Sequence, residues 1–507
     1  MRRICKAVFG RIFFTVISLA LQIIWAVGVT YRLSGYYSLA VDLLTLFVAL
    51  RVSIKQDNAA YRLVWVFVIL GLPIFGLTLY AMFGRSSISR TQKRHYGSIH
   101  EKMMPILQQE MDVVADVFHD NVFAHNQMRY IHSYSGYPTY KNTDVKFYPM
   151  AEAALEDMKT ALRQAKKFIF MEYFAVEDAE VFAQLEEILV QKVKEGVEVR
   201  FIYDDFGSVG YVRKDFARRL NREGIQCRIF NELSPIFYVF MNNRDHRKIT
   251  VVDGEISFSG GFNLADEYFN ITAPYGHWKD SGIRLQGDAV RSHTEMFLEM
   301  WNSIPFKYED PSPYLQPITY QAKEQDGFVQ PFCDSPLDRE TLGENVYMNI
   351  LKSAKNYVYI TTPYLIISDE MSRELQLAAK RGIDVRIIMP GIPDKKTVFF
   401  LSQSYYAPLT NAGVKIYQYT PGFVHAKQWL CDDEIGVVGT INMDFRSLYL
   451  HFECATFLYR CEALASIHQD FEEMFALCEQ IPQNYGTART LLKRLVQQVL
   501  RLLAPLF

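Results

Sequence analysis

Two copies of one pattern limit what this chain can fold into. His246, Lys248 and Asp253 form H-x-K-x4-D, and His425, Lys427 and Asp432 form it again. A glycine-led trailer follows each copy, Gly260-Gly261-x-Asn263 in the first and Gly439-Thr440-x-Asn442 in the second. Every landmark recurs 179 residues later. A fixed offset held over several positions marks a duplicated structural unit, so two similar halves are expected.

The residue types point to attack on a phosphodiester. Its oxygens are already negative, and charge shifts further during displacement, so a catalyst must fix positive charge and hydrogen-bond donors around them in advance. Lys248, Lys427, Asn263 and Asn442 supply that set, one of each type from each copy. A neutral imidazole can attack phosphorus and form a phospho-histidine. A second, protonated imidazole can hand a proton to the departing alkoxide. His246 and Lys248 are two apart, so on a strand they share a face. Ile249, Val251 and Val252, with Trp429 and Leu430 in the second copy, read as buried strand. Asp253 and Asp432 fall at strand ends before Gly254 and Asp433, a turn signal, where a carboxylate suits structural hydrogen bonding. Gly260, Gly261, Gly439 and Thr440 are small enough to let backbone approach a phosphate closely. No metal is expected, because a lysine between His and Asp repels a cation and no Cys/His cluster or paired carboxylate supports one.

With these motifs the chain resembles the phospholipase D superfamily and, more narrowly, its bacterial cardiolipin synthases. The resemblance extends over Phe170-Met171-Glu172-Tyr173-Phe174, Gly196-Val197-Glu198-Val199-Arg200 and Tyr203-Asp204-Asp205-Phe206-Gly207-Ser208 in the first half. In the second it covers Thr361-Thr362-Pro363-Tyr364, Gly382-Ile383-Asp384-Val385-Arg386, Pro390 and Asp394. Asn442-x-Asp444-x-Arg446-Ser447-Leu448 is similar to the synthase branch in particular. The resemblance implies a catalytic set of His246, Lys248, Asp253, His425, Lys427 and Asp432. Within it, His246 is the nucleophile and His425 the general acid and then base. Lys248, Lys427, Asn263 and Asn442 hold the phosphoryl oxygens. Glu453 matches the supporting carboxylate that orients the histidine of its own half. Asp280 is the implied counterpart for His246, with Glu267 as competitor. Two departures stand out: Ile366 and Ser368 surround a position that is often proline, and His451 stands where the synthases commonly have asparagine.

Composition narrows the substrate. Net charge is −2, whereas a nucleic-acid substrate usually leaves a basic domain, so no nucleic-acid partner is expected. Seven scattered cysteines show no CxxC or disulfide-like spacing. The first ninety residues hold three apolar runs, Ile12 to Val29, Tyr36 to Leu50 and Leu63 to Phe83; the first and third are long enough to cross a bilayer. Arg2, Arg3, Lys6 and Arg11 precede them, and Arg85, Arg90, Lys93 and Arg94 follow. Basic residues at both ends favour two full spans with the catalytic unit on the cytoplasmic side of the cell membrane.

Strand-like runs (Lys167 to Met171, Val197 to Tyr203, Lys248 to Val252; Tyr357 to Ile360, Ile383 to Met389, Gln428 to Cys431) alternate with helical patterns at Glu180 to Glu195 and Glu370 to Arg381. The expected fold is therefore α/β, with two repeats packed as a pseudo-twofold unit around mixed or mainly parallel sheets. The expected layout is a membrane anchor (1–90), an amphipathic connector (91–135) with Met104, Leu107 and Met111 at helical spacing, and repeat 1 (136–312). A linker (313–330), repeat 2 (331–485) and a basic amphipathic helix (486–507) follow. That helix suits an anionic membrane surface or the catalytic unit equally. The expected reaction transfers a phosphatidyl group between two phosphatidylglycerol molecules, giving cardiolipin and glycerol through a phospho-histidine. The alternative is a membrane-bound phospholipase D that hydrolyses or transphosphatidylates other phospholipids. Phosphatidylethanolamine is a possible partner lipid. No cofactor is expected: one phosphodiester replaces another, and neither G-x4-G-K-[ST] nor D-G-x2-A-R is present.

Overall fold

The computed structural model describes residues 17–26, 35–55, 58–84, 90–232, 242–304, 308–323, 327–338 and 340–504. The strands are β1 (Thr143–Tyr148), β2 (Phe168–Tyr173), β3 (Glu198–Asp204), β4 (Gln226–Phe230), β5 (Lys248–Val252), β6 (Ile256–Gly260), β7 (His277–Lys279) and β8 (Gly282–Gly287), followed by β9 (Phe328–Asp334), β10 (Tyr357–Thr361), β11 (Asp384–Pro390), β12 (Lys415–Tyr419), β13 (Gly422–Val424), β14 (Gln428–Cys431), β15 (Ile435–Gly439), β16 (Glu453–Tyr459) and β17 (Cys478–Gln480). One sheet runs β1-β8-β6-β5-β2-β3-β4, and the other runs β9-β16-β15-β14-β10-β11-β12-β17. Strand for strand the order is the same, with β17 added to the second, which is the duplication that the constant offset requires. Each sheet is mixed. β2, β3 and β4 pair in parallel, as do β10, β11 and β12. β5 and β14, which follow the two motif histidines, pair antiparallel to β2 and β10.

Packing explains the sequence pattern. Every residue of β2 and of β5 is buried, so both faces are covered and the runs are apolar rather than alternating. The helix Glu180–Lys194 buries Val181, Phe182, Leu185, Ile188 and Leu189, one helical stripe, against repeat 1. A single core includes Phe170, Ile249 and Val251 of the first sheet with Ile360, Trp429 and Val437 of the second. The two halves are therefore one folding unit.

Asp253 and Asp432 occupy matching corners, where each carboxylate accepts from backbone N–H groups. Asp253 accepts from the backbone N–H groups of Lys166, Lys167 and Phe168 at 2.8, 2.7 and 2.9 Å. Asp432 accepts from Lys355, Asn356 and Tyr357 at 2.7, 2.8 and 2.8 Å. Each sits at positive φ (56° and 52°), a conformation that Asp tolerates better than most residues. Asp253→Ala is expected to cost about 2–3 kcal/mol, from orphaned N–H groups and left-handed backbone. A denaturant midpoint reads that loss, while turnover per folded molecule stays near the parent's.

No helix among the described residues is long and apolar enough to cross a membrane. The third apolar run is split at Pro73, which cannot donate to the preceding turn, into Ala59–Gly71 and Pro73–Phe83. The second run lies in the helix Gly35–Ser53, whereas Arg2, Arg3, Lys6, Arg11, Arg85 and both ends of the first run lie outside the described residues. The connector is three helices, Arg90–Met103, Met111–Asp120 and Val122–Ser135. Leu107 is buried but Met104 and Met111 are exposed, so those residues do not share one packed stripe. Ser368, read as a family departure, caps the helix Asp369–Lys380 by accepting from Met371 N–H at 3.0 Å.

Candidate active site

The two histidines are positioned by strand pairing between the halves. β13, just before His425, pairs in parallel with β7 of repeat 1. Asp245, just before His246, bridges Phe452 of repeat 2 in the same sense. The backbone N–H of His425 donates to Lys279 O at 2.8 Å, and that of His246 to Phe452 O at 2.9 Å. The residue after each acceptor is a carboxylate, Asp280 or Glu453, and each meets the imidazole of the other repeat.

Pairing is thus crossed relative to expectation. His425 Nδ1 lies 2.6 Å from Asp280 Oδ2, and His246 Nδ1 lies 2.9 Å from the Glu453 carboxyl. A neighbour within one repeat is excluded because its carboxylate points across the pseudo-twofold axis. Glu267 instead receives the Tyr211 hydroxyl at 3.4 Å and orients neither histidine. The trailers support this arrangement differently. Thr440 Oγ1 donates to Glu453 at 2.5 Å. The equivalent Gly261 leaves room for the shorter Asp280, since a Cβ there would collide with Asp280 Oδ1.

All the central groups are buried. His246, His425, Lys248, Lys427, Asn263 and Asn442 each have relative exposures of 6% or less. Lys248 Nζ donates to His246 O at 2.5 Å and Lys427 Nζ to His425 O, which aims both ammonium groups beside the rings. Burial lowers the Lys248 pKa to about 8 and, with Lys248 as a repelling neighbour, that of Lys427 to about 7. Burial, then Lys427, brings His425 down to about 4 against the opposing pull of Asp280. His246 is driven well below the usual range by burial, then by Lys248 and His451. The carboxyls diverge. Burial pushes Asp280 up, but His425 and Lys427 bring it below the ordinary value, whereas burial holds Glu453 well above despite Lys248 and Thr440.

The amides also differ. Asn263 accepts from Ala175 N–H at 3.0 Å and donates to the Tyr268 hydroxyl at 2.7 Å. Asn442 Oδ1 is buried without a hydrogen-bond partner. Phe174 stands edge-on to His246 with ring centroids 4.9 Å apart, and Tyr268 does the same to His425 at 5.2 Å.

Sequence reading misses a buried ionic cluster behind His246. Arg247 pairs with Glu172 at 2.7 Å and Asp245 at 3.1 Å, and Arg244 with Asp204 at 3.3 Å. The alternation Arg244-Asp245-His246-Arg247-Lys248 entering a buried strand is the available signal, because charges survive burial only when paired. His451, noted only as a departure, has its ring 5.5 Å from that of His246 and both ring nitrogens buried without a hydrogen-bond partner. Among the described residues, His246, His451 and Glu453 place ligand-type atoms within 4.8 Å of one another. Lys248 opposes a cation there.

Comparisons with known proteins agree with this geometry. The family model described as "Cardiolipin synthase, PLD-like domain" matches residues 158–301 and 347–475. A second, "Phospholipase_D-nuclease N-terminal", matches residues 40–85. A cardiolipin synthase of Halalkalibacterium halodurans is 32% identical over 93% of this chain and 94% of its own length. One from a Geobacillus species is 32% identical over 94% of each. An uncharacterized protein of Streptococcus mutans is 43% identical over 89% of this chain and 98% of its own. The crystal structure of a phosphatidylserine synthase from Haemophilus influenzae superposes with a TM-score of 0.56 at 14% identity, covering 72% of this chain and 93% of its own, a likeness of fold. The paired sheets and crossed histidines define a phospholipase D-like enzyme of the phosphatidyltransferase class. The chain belongs to the PLD-like cardiolipin synthase family.

Proposed function

We propose that this enzyme joins two phosphatidylglycerol molecules into cardiolipin and glycerol by double displacement at His246. The observation that carries the reading is the pair of buried imidazoles, each held through Nδ1 by a carboxyl of the opposite repeat. Burial keeps the His246 imidazole neutral, so it carries a single ring proton, which in this reading sits on Nδ1 and is donated to Glu453. With that proton on Nδ1, Nε2 keeps its lone pair for phosphorus. His425 faces the ionised Asp280, and an entering phosphodiester anion adds negative charge that raises its proton affinity. His425 then protonates the leaving glycerol, and afterwards takes a proton from the hydroxyl of the second lipid as that oxygen attacks the phospho-histidine. Lys248, Lys427, Asn442 and Asn263 hold the phosphoryl oxygens throughout. Phosphatidylethanolamine is a candidate second lipid. The cardiolipin synthases among its relatives support the cardiolipin reading.

The N-terminal helices anchor the enzyme in the cell membrane in this proposal, with the catalytic unit on the cytoplasmic side. Leu39, Leu43, Leu44, Phe47 and Leu50 of the helix Gly35–Ser53 are all more than half exposed, a patch that water disfavours.

Catalytic efficiency is expected to fall as pH rises through 7 to 8, as Lys427 and then Lys248 lose their protons in the free enzyme. Above about pH 8 the fall is about tenfold per unit for each neutralised group. Folding stability moves the other way. Both lysines titrate lower when folded than unfolded, so between about 7 and their ordinary value near 10.5 the unfolded chain binds more protons and higher pH favours the fold. Paired profiles of kcat/KM and denaturant midpoint separate the two.

Isotope exchange tests the reversible first step. Phosphatidylglycerol incubated with labelled glycerol should acquire label at a rate comparable to turnover. A synthesis that proceeds with no exchange would exclude the phosphatidyl-enzyme.

A further inference from the structure

The helix Leu491–Leu502 sits on the catalytic body the wrong way round for a soluble protein. Gln497 and Arg501 on its polar side face the body. Gln497, 1% exposed, donates to Phe400 O at 3.2 Å and accepts from Arg489 at 2.6 Å. Arg501 lies over the Tyr405 ring at 4.4 Å and reaches Asp369 at 3.4 Å. Its apolar residues face outward: Leu491, Leu492, Leu495 and Val499 are 82, 72, 57 and 56% exposed. An amphipathic helix gains most of its stability by burying its apolar stripe, so one that docks through its polar face leaves that stripe for another phase.

Charge selects the occupant. From Gln480 to Ala504 there is no Asp or Glu, whereas Arg489, Lys493, Arg494 and Arg501 are basic. In a symmetric pair of chains these half-buried cations would repel one another; beside an anionic bilayer the net positive charge of the segment is drawn to the surface while the outward leucines enter the acyl boundary. The helix is also tied to the wall of the pocket. Gln497 bonds to the helix Lys396–Ser402, which begins just after Asp394, and Asp394 receives the Tyr364 hydroxyl at 2.5 Å. Tyr364 packs on Phe423, which packs on His425.

We propose that Leu491–Leu502 is an interfacial helix that lies on an anionic bilayer and holds the pocket at the depth of lipid head groups. The inference rests on the lipid-transfer reading above. Full-length enzyme carrying Leu495→Trp is reconstituted in vesicles of phosphatidylglycerol and acyl-brominated phosphatidylcholine, with the parent enzyme as baseline. The added tryptophan should lose about half its emission to the bromines. Absence of extra quenching overturns the proposal. Leu492→Glu/Leu495→Glu/Val499→Glu should lower turnover on vesicles about tenfold and leave turnover on detergent-dispersed phosphatidylglycerol unchanged. Unchanged turnover in both assays overturns it, as does loss in both without quenching, which would make the helix a brace for the catalytic body. Quenching is read without turnover. An enzyme that is quenched but makes no cardiolipin therefore overturns the proposed reaction and leaves the interfacial helix standing.

Discussion

His246→Ala is expected to lower turnover on phosphatidylglycerol by about 10⁴-fold or more, the loss typical of removing a covalent nucleophile. Among the described residues nothing else beside it is placed to replace it. The His425 ring is held by Asp280 at 2.6 Å, and the His451 ring lies 5.5 Å from the vacated position without a carboxyl hydrogen bond to fix its tautomer. Folding should survive, because residue 246 keeps its backbone bond to Phe452 O. The double variant His246→Ala/His425→Ala should be no slower than the single one, since the two rings serve one displacement. Initial rates and thermal melts on the same preparations check both points. A fall of only tenfold in His246→Ala would mean that the acceptor attacks phosphorus directly.

His425→Ala should show a different failure. Glycerol is a poor leaving group, so loss of its proton donor is expected to slow the first step by about 10²–10⁴-fold. A phosphatidyl ester of p-nitrophenol leaves without protonation. With it, His425→Ala should release about one equivalent of nitrophenol per enzyme and then stall, because the second hydroxyl lacks a base. The stalled protein should carry the phosphatidyl group on His246, stable under alkaline quench and located by peptide mapping. Steady release with no burst would reassign His425.

Much of this site is legible in the amino-acid sequence. The constant offset between the motifs implies the two equivalent sheets, because a duplicated sequence repeats its strand order. Spacing places Asp253 and Asp432 at turns, where their carboxylates bind backbone N–H groups. The crossed pairing of Asp280 and Glu453 is not legible. Separation along the chain measures which residues correspond between repeats, not which ones meet across the axis that relates them. Asp280 and Glu453 do correspond, and the inter-repeat pairing of β7 with β13 and of Asp245 with Phe452 reverses their partners. The third apolar run shows Pro73 and Gly76 within it, but hydropathy is blind to the backbone geometry by which Pro73 ends one helix and starts the next. The C-terminal helix is recognisable as amphipathic, but periodicity cannot say which face docks, and here tertiary hydrogen bonds hold the polar one.

Product analysis tests phosphatidyl transfer most directly. Purified enzyme is given phosphatidylglycerol alone in mixed micelles, with neither metal nor nucleotide added. Transfer through His246 predicts cardiolipin and free glycerol in equal amounts, both lost in His246→Ala. Phosphatidic acid in place of cardiolipin would contradict it, because water would then be the acceptor at the phospho-histidine.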